Sequence, residues 1–173
     1  MGAVEIGELA PDFVLPGIQL VDGGLQRRPF RLSDQRGRPV VLAFYPLDQS
    51  KVCTEQLCSY QDNFDGFDAL GAQVWAISVQ GIESHEEFAR KQRLTFPLLA
   101  DSRDGVAKTY GVSTLGGLLT RRSIFVIDAG GVVRWKHVAM VGLTFRKADE
   151  IREQLLRLFP APAGGTFSLP APV

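Results

Sequence analysis

Two cysteines, two histidines and no surplus of either charge are all that this 173-residue sequence offers for metal, disulfide or polyanion chemistry. Two thiols are too few for the disulfide framework of a small secreted domain. A structural zinc site needs four ligands, and Cys53 and Cys58 lack the close C-x-x-C spacing; surface structural roles are expected for His85 and His137. With 19 basic and 19 acidic residues, and no basic cluster denser than Arg27–Arg28 or Arg121–Arg122, a surface that tracks nucleic-acid phosphates is not expected. No apolar run is long enough to cross a bilayer, and Met1 to Ala10 has neither the positive start nor the apolar core of a secretory signal. These absences together predict a cytoplasmic protein with no membrane partner.

What is present is the composition of an ordinary globular chain, 45% hydrophobic and 22% charged. Its length suits one domain, expected over residues 1–159. The stretch 160–173, with four prolines and a Gly-Gly pair, reads as an irregular tail. Turn signals at Pro16–Gly17, Asp22–Gly23–Gly24 and Arg36–Gly37–Arg38 divide short apolar runs into an N-terminal hairpin region. Val40–Tyr45 is continuously apolar, as expected of a central strand buried on both faces, and Pro46 ends it. From Thr54 a helical spacing carries Leu57, Tyr60, Phe64 and Phe67 up to Gly71. Val74–Val79 is a second buried strand, and Ser84 with Glu87 three residues on reads as the capping box of the next helix.

A short helix is expected over Val106–Tyr110, then a Gly-rich loop at 113–120. Ser123–Ile127 and Val132–Lys136 read as a hairpin across Asp128–Ala129–Gly130–Gly131, and Arg146–Phe159 as a last helix with one apolar side. Strand, helix, strand, helix implies a right-handed crossover and parallel pairing. The sum is an α/β chain with the plan of a thioredoxin fold: a central mixed sheet flanked by helices, extended by an N-terminal β-hairpin.

Both cysteines fall in one stretch, Phe44 to Cys58, where an apolar strand gives way to a helix. A thiol with a free pKa of about 8.5 is only a few per cent ionised at neutral pH, so a nucleophilic cysteine needs a setting that favours the thiolate. At a helix start, Cys53 meets unpaired N–H groups and the positive end of the helix dipole. Ser50 is placed to donate a hydroxyl hydrogen bond to sulfur or to a substrate oxygen, and Pro46 to shield the site. Arg122, before a core strand, is the candidate cation, because strand ends converge on one edge of an α/β sheet. Residues five apart on an intact helix have Cα atoms about 8.7 Å apart, whereas a disulfide needs less than about 7 Å. If Cys53 and Cys58 react with each other, at least the first helical turn must unwind.

These residues resemble a peroxiredoxin of the bacterioferritin-comigratory or PrxQ-like subgroup, within the AhpC/TSA superfamily. The motif Pro-x-x-x-Thr/Ser-x-x-Cys is matched by Pro46, Ser50 and Cys53. The likeness covers about residues 4–158, including Gly7 to Phe13, Phe44–Tyr45–Pro46 and Arg122 to Asp128. It implies a thiol-dependent peroxidase for hydrogen peroxide and small organic hydroperoxides. In it Cys53 is peroxidatic, Arg122 binds thiolate and peroxide, and Cys58 is the resolving cysteine. Thioredoxin or a similar dithiol serves as reductant, no metal, haem or flavin is needed, and the expected assembly is a monomer or weak dimer. Three departures from the pattern stand out: Ser50 replaces the commoner threonine, Lys51–Val52 replaces Pro-Gly, and Gln56 stands where many relatives carry a glutamate. Two rival readings are a protein disulfide reductase, disfavoured by four intervening residues in place of two, and a metal carrier on the same fold.

Overall fold

The computed structural model describes residues 2–103, 105–140 and 145–160. In chain order, β1 (Val14–Val21) and β2 (Gly24–Arg31) form a hairpin, followed by β3 (Val40–Phe44), α1 (Lys51–Asp62), α2 (Phe64–Ala69) and β4 (Gln73–Ser78). Then come α3 (Ile82–Gln92), β5 (Leu98–Ala100), α4 (Gly105–Thr109), the short strands β6 (Ser113–Thr114) and β7 (Leu119–Thr120), β8 (Ser123–Ile127), β9 (Val133–Val138) and α5 (Ala148–Leu158). The main sheet has seven strands in the order β2-β1-β5-β4-β3-β8-β9, with β3, β4 and β5 parallel and the remaining pairings antiparallel. This is a thioredoxin fold with a hairpin added at one edge. No described helix is long and apolar enough to cross a membrane.

Both faces of the central strands are buried, which is why their sequences read as unbroken apolar runs. Successive side chains point to opposite faces. Val41, Ala43 and Tyr45 therefore join Val74 and Ala76 in one core, covered by α1, α2, α3 and α5 through Leu57, Tyr60, Phe67, Phe88, Ile151 and Leu155. Val40, Leu42 and Phe44 join Trp75, Ile77 and Phe125 in the other, which Val106 and Ala107 of α4 and the following Tyr110 close. Trp75 is core, as its strand pattern implies, at 1% exposure.

Several local expectations are corrected. Pro16–Gly17 is no turn but the middle of β1, where Gly17 faces Arg28 of β2 and Leu99 of β5. A Cβ at Gly17 would lie 2.8 Å from the Phe30 ring and 3.0 Å from the Leu98 carbonyl oxygen, so close strand approach explains this glycine. The hairpin turn lies at Asp22 and Gly23, with φ of 49° and 79°, the positive values that a tight two-residue connection requires. The helix expected from Thr54 to Gly71 begins earlier, at Lys51, and breaks at Asn63 into α1 and α2. Helix α3 starts at Ile82 with Gly81 as its N-cap, so Ser84 is not a cap; its hydroxyl is bound to Asp48 at 2.6 Å. His85, expected at the surface, is fully buried. Strand β5 went unpredicted, and the Gly-rich loop at 113–120 carries the β6–β7 pair. The Pro-rich tail lies, from residue 161 on, outside the described residues.

Candidate active site

Strand β3 delivers the chain to the site and β8 brings the cation. The two run antiparallel with Phe44 opposite Ser123, so the end of β3 meets the start of β8. That register sets Arg122, one residue before β8, beside the turn that follows β3. In this turn Pro46 breaks the ladder, Gln49 takes a left-handed φ of 60°, and Ser50 sits at the N-cap of α1 with its carbonyl accepting the Thr54 N–H at 2.8 Å. Cys53 occupies the first turn of α1 and is fully buried.

Arg122 is 3% exposed. Its Nη2 donates to Cys53 Sγ at 3.2 Å and its Nη1 donates to Gln56 Oε1. Gln56 passes the chain on, its Nε2 donating to the Tyr60 hydroxyl at 2.8 Å, which donates in turn to the Arg146 carbonyl at 3.1 Å. Burial, partly offset by the Gln56 hydrogen bond and the Arg122 charge, raises the Tyr60 pKa and keeps the phenol protonated. Gln56 thus accepts from the guanidinium without bringing a negative charge to it. The guanidinium fork serves two acceptors from one rigid plane, which a lysine cannot reproduce.

Ser50 departs from its expected role. Its hydroxyl donates to the Leu47 carbonyl at 3.1 Å and so closes the turn; it does not point its hydrogen at the sulfur. Pro46 lines two adjoining clefts. One, of about 280 Å³, is formed with Leu47, Ser50, Lys51, Val52, Leu119 and Arg122. The other, of about 240 Å³, is formed with Thr114, Leu119, Thr120, Arg121, Arg122, Ala139 and Met140. A larger cleft of about 410 Å³ lies over the β1–β2 hairpin and Ile82, away from both cysteines. Phe44 is core, whereas Leu118 is 74% exposed.

Cys58 lies one and a half turns further along the same unbroken helix, partly buried, its thiol 3.6 Å from Gln92 Oε1 of α3. Burial, then the nearby Asp62 charge, raises its pKa, so Cys58 is a thiol at neutral pH. Both cysteines are free.

The polar residues behind the turn escaped the sequence reading. Asp48, 8% exposed, accepts the Tyr45 hydroxyl at 2.5 Å and the Ser84 hydroxyl at 2.6 Å, and meets His85 Nδ1 at 2.7 Å. Gln80 accepts the Asp48 N–H at 3.1 Å and donates to the Pro46 carbonyl at 3.2 Å. A signal for His85 was available: it shares the i, i+3, i+4 stripe with buried Phe88 and Ala89.

Residues 6–136 match the AhpC/TSA family model. The chain belongs to the AhpC/TSA family. Among AhpC/TSA proteins it is 44% identical to the chloroplastic peroxiredoxin Q of Sedum lineare, over 62% of this chain and 58% of the relative. It is 41% identical to that of Oryza sativa subsp. japonica, over 78% and 59%, and 37% identical to peroxiredoxin-2 of Rattus norvegicus, over 77% and 69%. The chain therefore spans somewhat under two thirds of the length of the peroxiredoxin Q relatives. The fold is shared with Mycobacterium bovis AhpC at a TM-score of 0.82 and 20% identity, covering 96% of this chain and all of the other. Enterococcus faecalis AhpC gives 0.80 and 24%, covering 95% and 98%.

These AhpC/TSA relatives overturn the cytoplasmic expectation, because the peroxiredoxin Q proteins from Sedum, rice and wheat are chloroplastic. Compartment is addressed by segments separate from the folded domain, so neither the composition nor the core of an AhpC/TSA chain carries it.

Proposed function

We propose that this chain is a thiol-dependent peroxidase acting on hydrogen peroxide and small organic hydroperoxides. The observation that carries the reading is the Arg122 guanidinium donating to Cys53 Sγ at 3.2 Å inside the first turn of α1. A thiolate held there attacks the terminal oxygen of ROOH. An S–O bond forms, the O–O bond breaks, and RO⁻ leaves to take up a proton as ROH. The Arg122 charge faces the oxygen on which negative charge develops, beside a fully buried sulfur. Pro46 forms the wall of the entry cleft, and Ser50, through Leu47, keeps the turn closed.

The Cys53 sulfenic acid is resolved by Cys58, whose sulfur displaces the hydroxyl as water and forms an S–S bond. Thioredoxin or a similar dithiol returns both thiols by exchange and leaves oxidised. Since α1 is intact between the two cysteines, and a five-residue helical spacing separates Cα atoms by about 8.7 Å against the roughly 7 Å a disulfide allows, resolution requires the start of α1 to unwind. One helix supplies both cysteines, which supports a monomer or weak dimer as the working form.

Thiol-trapped mass analysis after one equivalent of peroxide tests the scheme. The expected product is a 53–58 disulfide in the native chain and a trapped sulfenic acid in Cys58→Ser. Cys53→Ser is expected to lose all peroxide consumption. Sustained thioredoxin-linked turnover by Cys53→Ser would refute the assignment, and undiminished turnover by Cys58→Ser would refute the resolving role.

A further inference from the structure

The turn before Cys53 is fastened to a part of the molecule that takes no part in the thiol chemistry. Asp48, midway between Pro46 and Ser50, is held by His85 and Ser84 of α3, and by Tyr45 at the end of β3. Gln80, between β4 and α3, binds the Asp48 N–H and the Pro46 carbonyl, and is itself set by the Ser78 hydroxyl at 2.7 Å. Lys91 Nζ reaches Gln49 Oε1 at 3.4 Å. None of these anchors belongs to α1. The turn is thus bolted to β3, β4 and α3, while the helix it introduces is the one that must unwind for the two sulfurs to meet.

The centre of the fastening is the buried contact between His85 and Asp48. His85 Nε2 faces the Leu99 carbonyl at 3.1 Å, and a carbonyl only accepts, so this nitrogen carries a hydrogen. Nδ1 meets the Asp48 carboxylate at 2.7 Å, beside the two hydroxyls that donate to the same group. The ring lies against the Asp48 carboxylate, with side-chain exposures of 0% and 2%. Burial alone would raise the Asp48 pKa, but the His85 hydrogen bond and charge, with Ser84 and Tyr45, lower it overall. Buried pairs of this kind tolerate loss of one partner poorly and favour one defined geometry when complete. The geometry they define here includes the left-handed Gln49, φ 60°, a conformation that persists only where its surroundings enforce it.

We infer that the Asp48–His85 pair is a latch that holds the turn before Cys53 in its wound form and so decides how the Cys53 sulfenic acid is partitioned. The inference rests on the peroxidase reading. In the wound form the sulfenic acid stays beside Arg122, open to a second ROOH. That reaction adds an S–O bond, breaks the O–O bond, releases ROH and leaves a sulfinic acid. In the unwound form Cys58 reaches the same sulfur, forms the disulfide and releases water. A weaker latch shifts the outcome from sulfinic acid to disulfide. His85 and Asp48 touch neither substrate nor sulfur; they are positioning residues.

The test uses the full chain and mass analysis of the products formed in excess hydrogen peroxide, read as the ratio of disulfide to sulfinic acid. Removing one charge-assisted hydrogen bond from a buried group is expected to raise that ratio by about tenfold or more in His85→Gln. Ser84→Ala, which deletes a neutral donor to the same carboxylate from a partly exposed position, is expected to raise it by about two- to fivefold. A purely structural histidine would lower the melting temperature and leave the ratio unchanged, and that result overturns the latch. If His85→Gln does not fold, an unchanged ratio in Ser84→Ala overturns it equally. A native chain that yields neither product at Cys53 fails the peroxidase reading itself, an outcome distinct from native partitioning that the variants do not move.

Discussion

Arg122 supports the strongest quantitative prediction. In Arg122→Met the side-chain volume is nearly kept while the Cys53 sulfur loses the Nη2 donor at 3.2 Å and Gln56 Oε1 loses Nη1. A hydrogen bond to a charged partner contributes about 1.5–3 kcal/mol, and each 1.36 kcal/mol is tenfold in rate. The second-order constant for Cys53 oxidation should therefore fall by about 10- to 150-fold. Gln56, fully buried, is left with an unfilled acceptor, which should lower folding stability by about 1–3 kcal/mol as a separate effect. Arg122→Lys should fall between native and methionine forms, because an ammonium on a flexible stem meets sulfur or Gln56 without the fixed fork that reaches both. Rapid-quench mass analysis of sulfenic acid formation in a Cys58→Ser background reads the chemical step free of resolution. An Arg122→Met constant within threefold of native, in a folded protein, would refute the claim that the guanidinium stabilises the reacting sulfur and oxygen.

Two further outcomes follow from the fold. The Asp48 carboxyl has a pKa below the ordinary 3.8 when folded, so its contribution to stability is complete above 3.8 and is lost as pH falls through the lower folded value. The Asp48 contribution to urea unfolding midpoints should accordingly be lost below pH 4, and Asp48→Asn should flatten part of the acid drop; an unaltered acid slope in the variant would count against the buried pair. Gly17→Ala places a Cβ against the Phe30 ring, which is 2% exposed and packed edge-on to Trp75. The forced shift should cost about 1–3 kcal/mol, seen as a melting temperature lower by several degrees, and an unchanged melt would show that the hairpin yields freely.

Strand and helix identity in the middle of the chain was legible because burial on both sheet faces writes apolar runs across Val40–Phe44 and within Gln73–Ser78 and Ser123–Ile127. Strand β5, three residues long, is too short to show a period. Pro16–Gly17 carries the composition of a turn, yet β1 bonds to β5 only at Gly17 and Ile18, so Pro16 stands outside that pairing and no ladder bond is missed. Ser84 and Glu87 fit the capping-box spacing, but the hydroxyl is claimed by Asp48, a residue 36 positions away. Local patterns cannot register such a competitor. The Arg122 contact was legible as a convergence of strand ends and no more. Its partner atom depends on the Phe44–Ser123 register, which is decided by packing across the whole sheet.

The order in which α1 must give way can itself be read from its residues. Val52 and Thr54, both β-branched, flank Cys53 in the first turn; Ser50 makes no side-chain cap, and no acidic residue meets the N-terminal dipole there. Each of these omissions leaves the start of the helix weaker, the missing cap alone by about 1 kcal/mol. The second half differs: Leu57 and Tyr60 are sunk in the core below the sheet, and Cys58 lies on α3. The first turn therefore contributes little to its own stability and depends on what is attached to it, namely Arg122 on the sulfur and the Asp48 latch on the preceding turn. In the proposed scheme, oxidation converts the Cys53 sulfur that Arg122 contacts into a sulfenic acid and so weakens one of these attachments. What remains against unwinding is the latch, which makes the proposed partition a property of the protein behind the active site and not of the sulfur chemistry alone.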